Sequence, residues 1–236
     1  FDIDGTLTPS RLKATPEILE TLSDLRKKCV IGIVGGSDLP KQKDQLGDNV
    51  LDIVDYSFSE NGLVAFHGKE KIGETSMRQY FSVSQMNRLA SWILRYIADL
   101  DIPVKTGTFL ESRTGMINVS PVGRNCTLKE RHEFSDYDQK HEIRKKMCAD
   151  LAEQFKDMDI QFSIGGQISI DIFPRGWTKS YCLKYVDGKY DEIHFFGDMT
   201  MEGGNDYEIF NDERVIGHTV KDPEDTIVQV KKLFLS

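Results

Sequence analysis

Two aspartates one residue apart open the chain, in the run Phe1-Asp2-Ile3-Asp4-Gly5-Thr6. If this segment ends a strand, residues i and i+2 share a face, and the two carboxylates stand roughly 6–7 Å apart along it. Gly5 permits a sharp bend, so both project from the carboxyl edge of a sheet, where parallel α/β sheets bind ligands. Two hard oxygen donors at such an edge suit Mg²⁺, which takes one or two carboxylates together with phosphate and water. An ionised Asp2 there can attack phosphorus to give an aspartyl-phosphate. Asp4 can carry a proton to or from the leaving hydroxyl. Alone, these residues would be read as a turn. A calcium loop of the EF-hand kind fits poorly, because Leu7 stands where that loop needs glycine.

Other residues of matching chemistry fall at the ends of other apolar runs. Ser37 follows residues 30–36, VIGIVGG, and offers a hydroxyl to phosphate at the same sheet edge. Asp198 ends residues 192–198, EIHFFGD, and adds a third carboxylate, while Asn205 and Asp206 follow within reach of a metal or its waters. Lys179 supplies a cation for phosphoryl oxygens. Singly, these are a helix cap, two turns and a solvated lysine. Together they supply nucleophile, acid/base, metal ligands and phosphate donors, which is what phosphoryl transfer asks of a protein.

The elements that must position these groups alternate between strand and helix at both ends of the chain. Thr15 and Pro16 start a helix with Ile18, Leu19, Leu22 and Leu25 on one face. Residues 30–36 read as a buried parallel strand, followed by a short helix that Ser37 caps and Gly47 ends. A hairpin turns at Gly68-Lys69, and residues 225–234 form a closing helix. The middle differs. Residues 85–100 carry Met86, Leu89, Ala90, Ile93, Leu94, Ile97 and Leu100 on one helical face, and residues 142–155 form a second helix. Between and after these lie a hairpin at Thr114-Gly115 and a strand over 167–173. The fold is therefore expected to be α/β, a doubly wound parallel-sheet core over 1–75 and 176–236 with an inserted α+β cap over 76–175. Phe1-Asp2 is too short for a central strand, so the site requires residues ahead of Phe1 or an incomplete core.

Alternation in 167–173 places Gln167, Ser169 and Asp171 on one face and Ile168, Ile170 and Ile172 on the other. The Thr114-Gly115 turn sets Arg113 against Met116 and Glu111 against Asn118. Arg113, Glu111 and Asn118 then share a face opposite Leu110, Ile117 and Val119. The apolar faces pack on the helices of the same unit, and the polar face is open to a ligand or simply to solvent.

The formal net charge of −8 argues against a nucleic-acid partner, so an anionic substrate must be met by local arginines. Cys29, Cys126, Cys148 and Cys182 show no metal-ligand spacing and suggest a reducing compartment. No apolar run is long enough for a membrane span, and no signal peptide is visible.

DIDGT, Ser37, Lys179 and GDMTMEGGND resemble the four ordered motifs of the haloacid dehalogenase superfamily. FDIDGTLTPSR, GIVGGSD, ENGLVAF, GTFLESRTGMINVSPVGRNC, FSIGGQISIDIFPRGW and FFGDMTMEGGNDYEIF resemble the eukaryotic phosphomannomutase family over nearly the whole chain. The resemblance implies exchange of phosphate between C1 and C6 of mannose, with a hexose 1,6-bisphosphate as activator, and action on glucose phosphates too. The product would supply GDP-mannose synthesis and protein glycosylation. It implies Asp2 as nucleophile and Asp4 as acid/base. Mg²⁺ would be held by Asp2, the Asp4 carbonyl and Asp198. Arg11, Arg113, Arg124 and Arg131 would grip substrate phosphate, and Ser169 and Asp171 would contact sugar and phosphate. A second metal would fall on Phe210, Asp212 and Val215. Cap and core would close over the substrate in a cytoplasmic homodimer joined through the caps. Three positions depart from the family pattern: Met199 for lysine, Thr178 for aspartate and Val215 for threonine. None removes a catalytic group. The rivals are a Mg²⁺-dependent sugar-phosphate phosphatase on the same fold and a non-catalytic phospho-ligand binder.

Overall fold

The computed structural model describes residues 1–10 and 12–235. Helix α1 (Pro16–Leu25) starts as expected, with the Thr15 hydroxyl accepting from Ile18 N–H at 3.4 Å. Strand β1 (Gly32–Val34), α2 (Leu39–Leu46), α3 (Val50–Ile53), β2 (Tyr56–Ser59), β3 (Val64–His67) and β4 (Glu70–Glu74) follow. Helix α2 stops before Gly47, but its cap is Asp38 and not Ser37, with Lys41 N–H donating to the Asp38 carboxylate at 3.2 Å. The cap must be the residue just before the first helical turn, and that turn begins at Leu39.

The middle of the chain holds α4 (Met77–Tyr80), α5 (Val83–Asp99), β5 (Leu110–Ser112), β6 (Ile117–Val119), α6 (Leu128–His141), α7 (Ile143–Gln154), β7 (Ile160–Gly165) and β8 (Ser169–Pro174). A 3₁₀ helix (Lys179–Tyr185), β9 (His194–Gly197), α8 (Tyr207–Phe210), β10 (Ile216–Thr219), α9 (Pro223–Val230) and a π-helical turn (Lys231–Leu235) follow. The chain divides into two compact units, Phe1–Glu74 with Gly176–Ser236, and Thr75–Arg175.

In the first unit β1-β2-β3-β4 form one sheet, with β1 and β2 parallel, and β9 and β10 form a parallel pair. Phe1 and Asp2 join them. Phe1 N–H donates to Gly32 O at 2.8 Å, Val34 N–H to Phe1 O at 2.9 Å, and Asp2 N–H to Phe196 O at 2.9 Å. Successive residues on each strand serve opposite faces. Ile33 and Phe196 pack in one cluster with Ile18, Leu22 and Leu25 of α1 and Ile227 and Val230 of α9. Val34 and Phe195 pack in another with Leu183 of the 3₁₀ helix and Ile209 of α8. Helices on both faces make this a doubly wound α/β layer, as expected.

The second unit carries an antiparallel sheet in the order β5-β6-β8-β7. Ile117, Val119, Ile170 and Ile172 are buried from one face. Two expectations change. The strand expected over 167–173 begins at Ser169, because Gly166–Ile168 turn from β7. On α5, Leu89, Ile93 and Ile97 are buried, but Leu94 is 49% exposed, one residue off the buried stripe. Trp92 packs within its own unit, stacked on Tyr96 at 4.9 Å and edge-on to Phe155 at 5.8 Å. Helix α6 and strand β7 were not expected. Helix α6 buries only Phe134 and Asp138, so it shows no apolar stripe, and its signature is the Thr127/Glu130 capping box.

Candidate active site

The chain turns sharply after Asp2. The Ile3 carbonyl accepts from Thr6, Leu7 and Thr8 N–H, and Gly5 N–H closes the loop on Thr8 O at 2.7 Å. Gly5 has φ +80°, and a Cβ there would lie 2.4 Å from Asp198 Oδ2, so only glycine admits both the bend and the neighbouring carboxylate. Asp2 is 3% exposed at the carboxyl edge of the sheet. Asp198, after β9, and Asp206, before α8, come from the adjoining loops. One carboxylate oxygen from each of the three lies within 4.8 Å of the others.

Lys179 opens the 3₁₀ helix and is 2% exposed. Its ammonium donates to Asp2 Oδ1 at 2.6 Å and to Asp206 Oδ1 at 2.7 Å. Asp206 Oδ2 accepts from Met199 N–H at 3.1 Å, which fixes the loop between them. Burial raises the Asp2 pKa to about 6, with Asp206 adding to the rise and Lys179 opposing it. Burial alone would lower the Lys179 pKa, but Asp2 and Asp206 hold it above its ordinary value. Burial, then Asp206, raises Asp198. Three carboxylates against one ammonium leave two negative charges on hard oxygen donors. That donor set fits one Mg²⁺ in charge and in ligand type.

Asp4 lies beyond the bend and is half-buried. It does not share the acid cluster. Gln45 Nε2, from α2, donates to Asp4 Oδ1 at 2.9 Å and to Thr8 Oγ1 at 3.2 Å. Ser37 is half-buried on the turn after β1, where its carbonyl accepts from Glu60 N–H at 2.9 Å. Asn205 is exposed beside Asp206. Arg11 lies outside the described residues. Phe210 ends α8 and Val215 precedes β10, with Val215 N–H donating to Asp212 O at 2.9 Å. Between them both Asp212 oxygens are engaged by Arg214, each at 2.7 Å, and that contact lowers the Asp212 pKa.

In the second unit a polar row crosses the sheet. Glu111 on β5 pairs with Asn118 on β6, Asn118 with Asp171 on β8, and Asp171 with Ser163 on β7. Asn118 Nδ2 donates to Asp171 Oδ1 at 2.6 Å, and Arg124 Nη1 donates to Asn118 Oδ1. Arg113, just past β5, meets Glu111 Oε2 through Nη2 at 2.6 Å. Arg124 Nε meets the same oxygen at 3.0 Å. Arg131 is half-buried on α6, and no carboxylate pairs with it among the described residues. Ser169 is buried at the start of β8. Its carbonyl and those of Gly165 and Gly166 accept from Arg144 Nη1. Sequence reasoning missed Arg144 and its partner Asp138, and also Gln45. Their signals lie in packing, not in any local motif.

The eukaryotic phosphomannomutase family model matches residues 18–236. The phosphomannomutase of Saccharomyces cerevisiae is 56% identical over 99% of this chain and 92% of its own. That of Dendrobium officinale is 54% identical over the whole of this chain and 93% of its own, and that of Arabidopsis thaliana is 54% identical over 100% and 96%. Among solved structures, the trehalose-6-phosphate phosphatase of Aspergillus fumigatus superposes with a TM-score of 0.62 at 16% identity, over 99% of this chain and 90% of that one. SMU.1108c from Streptococcus mutans UA159 superposes with a TM-score of 0.66 at 13% identity, over 98% and 96%. These two show the fold alone. Sequence identity above half along the full length shows more: the chain belongs to the eukaryotic phosphomannomutase family.

Proposed function

We propose that this chain interconverts mannose 1-phosphate and mannose 6-phosphate through an aspartyl-phosphate on Asp2. The observation that carries the proposal is the buried Asp2–Lys179–Asp206 group with Asp198 beside it. In the first half-reaction an Asp2 oxygen attacks phosphorus of a hexose 1,6-bisphosphate. The bond from phosphorus to the sugar oxygen breaks, and Asp4 gives that oxygen a proton. In the second, the other hydroxyl of a hexose monophosphate loses its proton to Asp4 and takes the phosphoryl group back from Asp2. With a pKa near 6, Asp2 is ionised at neutral pH, as a nucleophile must be. Lys179 offsets charge on the transferring oxygens, and Ser37 donates to them. Gln45 anchors one Asp4 oxygen and so orients that carboxylate.

Asp2, Asp198 and Asp206 would hold Mg²⁺, with the Asp4 carbonyl and Asn205 as further oxygen donors. The ion supplies charge neutralisation to the phosphoryl group when bound. The polar sheet face, with Arg113, Arg124, Arg131, Ser169 and Asp171, grips the distal phosphate and the sugar. Arginine suits that task because its fork meets two phosphate oxygens together. A hexose bisphosphate is the activator, glucose phosphates are also accepted, and the product feeds GDP-mannose synthesis and protein glycosylation. We place the protein in the cytoplasm as a homodimer, to which Leu94 and Val83, exposed on α5, lend apolar surface. No helix of the described residues is long and apolar enough to cross a membrane.

The test incubates the purified chain with Mg²⁺, mannose 1-phosphate and a hexose 1,6-bisphosphate. The expected product is mannose 6-phosphate, in an amount exceeding the bisphosphate supplied. Inorganic phosphate as the main product would overturn the proposal in favour of a phosphatase. Turnover that survives Asp2→Asn would overturn the role of Asp2.

A further inference from the structure

The polar sheet face holds two carboxylates, Glu111 and Asp171, where an anion-binding surface would be expected to hold none, and Glu111 lies against the arginines. Glu111 Oε2 accepts from Arg113 Nε at 3.1 Å and Nη2 at 2.6 Å, and lies 3.0 Å from Arg124 Nε. One oxygen therefore stands between two guanidinium groups. The three side chains are 38%, 41% and 32% exposed for Glu111, Arg113 and Arg124. At that exposure the two arginines repel each other, and solvent leaves each many rotamers to choose from.

The backbones beneath them are fixed. Arg113 N–H donates to Met116 O at 2.8 Å across the hairpin turn. Arg124 N–H donates to Thr108 O at 3.1 Å, tying the loop after β6 to the segment before β5. What the backbone leaves free is the direction of the two long side chains, and Glu111 settles it. Its oxygen takes the Nε–Nη2 edge of Arg113 and the Nε of Arg124. Asn118 takes Arg124 Nη1 and is itself held by Asp171. Beyond these contacts Arg113 Nη1 meets only the weak acceptor Met116 Sδ, at 4.0 Å, and neither outer Nη edge meets a carboxylate among the described residues.

We infer that Glu111 is a positioning residue: it holds Arg113 and Arg124 side by side, with their outer N–H groups ready for one phosphate monoester. It touches neither the sugar nor the transferred phosphoryl group. The inference rests on the proposed role of this face as the grip on the distal phosphate. Holding two rotamer-rich side chains before binding is worth about tenfold in affinity. A bare electrostatic view gives the opposite sign, since removing an acid beside two arginines should tighten an anion.

The test compares wild type, Glu111→Gln, Glu111→Asp and Arg113→Gln, each with an unchanged thermal midpoint. Mannose 6-phosphate binding is measured by calorimetry, with mannose as the phosphate-free control. Glu111→Gln should weaken mannose 6-phosphate about tenfold and raise KM in proportion, with kcat within about twofold of wild type. Glu111→Asp, which keeps the charge, should recover most of the loss. Mannose binding should not respond. If Glu111→Gln binds the phosphate as tightly as wild type, or more tightly, while Arg113→Gln binds it weakly, Glu111 does not position the arginines. If Arg113→Gln also binds as wild type does, the face is not the phosphate grip, and the proposal falls with that reading.

Discussion

Asp138 and Arg144 form the most thoroughly buried ion pair in the second unit. Their side chains are 10% and 8% exposed, and Arg144 Nε donates to Asp138 Oδ2 at 2.7 Å. The other Asp138 oxygen accepts from Arg144 N–H at 2.7 Å, so one carboxylate closes the junction between α6 and α7. Asp138→Asn keeps the volume, removes the charge and turns one acceptor into a donor that faces an N–H. The guanidinium stays buried with only neutral carbonyls for company. Breaking a buried pair in this way costs about 3–5 kcal/mol, whereas a surface pair loses no more than about 1 kcal/mol. The size of the loss therefore decides whether the pair is desolvated. The chain's two tryptophans give the assay its resolution, because Trp92 lies in the second unit and Trp177 in the first. In a Trp177→Phe background, urea unfolding followed at Trp92 should show the midpoint falling by more than about 1 M, given slopes of about 1–3 kcal/mol per M. Asp157→Asn, at the exposed Arg88–Asp157 pair, should leave the midpoint where it was. A loss below about 1 kcal/mol for Asp138→Asn would refute the burial argument.

Three further outcomes are expected. Gly5→Ala forces a side chain into a left-handed backbone at about 1–2 kcal/mol and drives its Cβ into Asp198, so turnover should fall at least about tenfold; activity near wild type would show that Asp198 can move freely. Burial, then His194, holds the His218 pKa below its ordinary 6.5, so the unfolded chain takes up this proton more readily than the folded one. The His218 contribution is complete above about pH 6.5 and is lost as the pH falls below that value. Urea midpoints at pH 7.5 and 5.5 should therefore diverge less in His218→Gln than in wild type, and equal divergence would refute it. Burial pushes the Cys182 thiol up to about 12, so a thiol reagent should label exposed Cys29 in the native protein and reach Cys182 only on unfolding. Prompt native labelling of Cys182 would count against the packing around it.

What could be read in the sequence divides along a physical line. Groups that sit at strand ends announce themselves, because the end of an apolar run marks the sheet edge. Asp2 and Asp198, which the structure brings together, are legible in this way, and so is the alternation that gives the second unit its polar face. Groups defined by partners are not. Gln45 reaches Asp4 from 41 residues away, and nothing in a polar helix face says which glutamine will do so. Helix α6 has too few apolar residues to show a period, and the structure stabilises it through Asp138, a charged residue that sequence patterns assign to the surface. The partner that Asp2 meets is Lys179, 177 residues on and beyond the whole second unit. An insertion of that size is tolerable because its ends, at Glu74 and Gly176, leave the first unit's sheet and the 3₁₀ helix behind Lys179 in one compact body. The carboxylate and its ammonium are thus fixed by the core's packing, with no part of the inserted unit needed to bring them together.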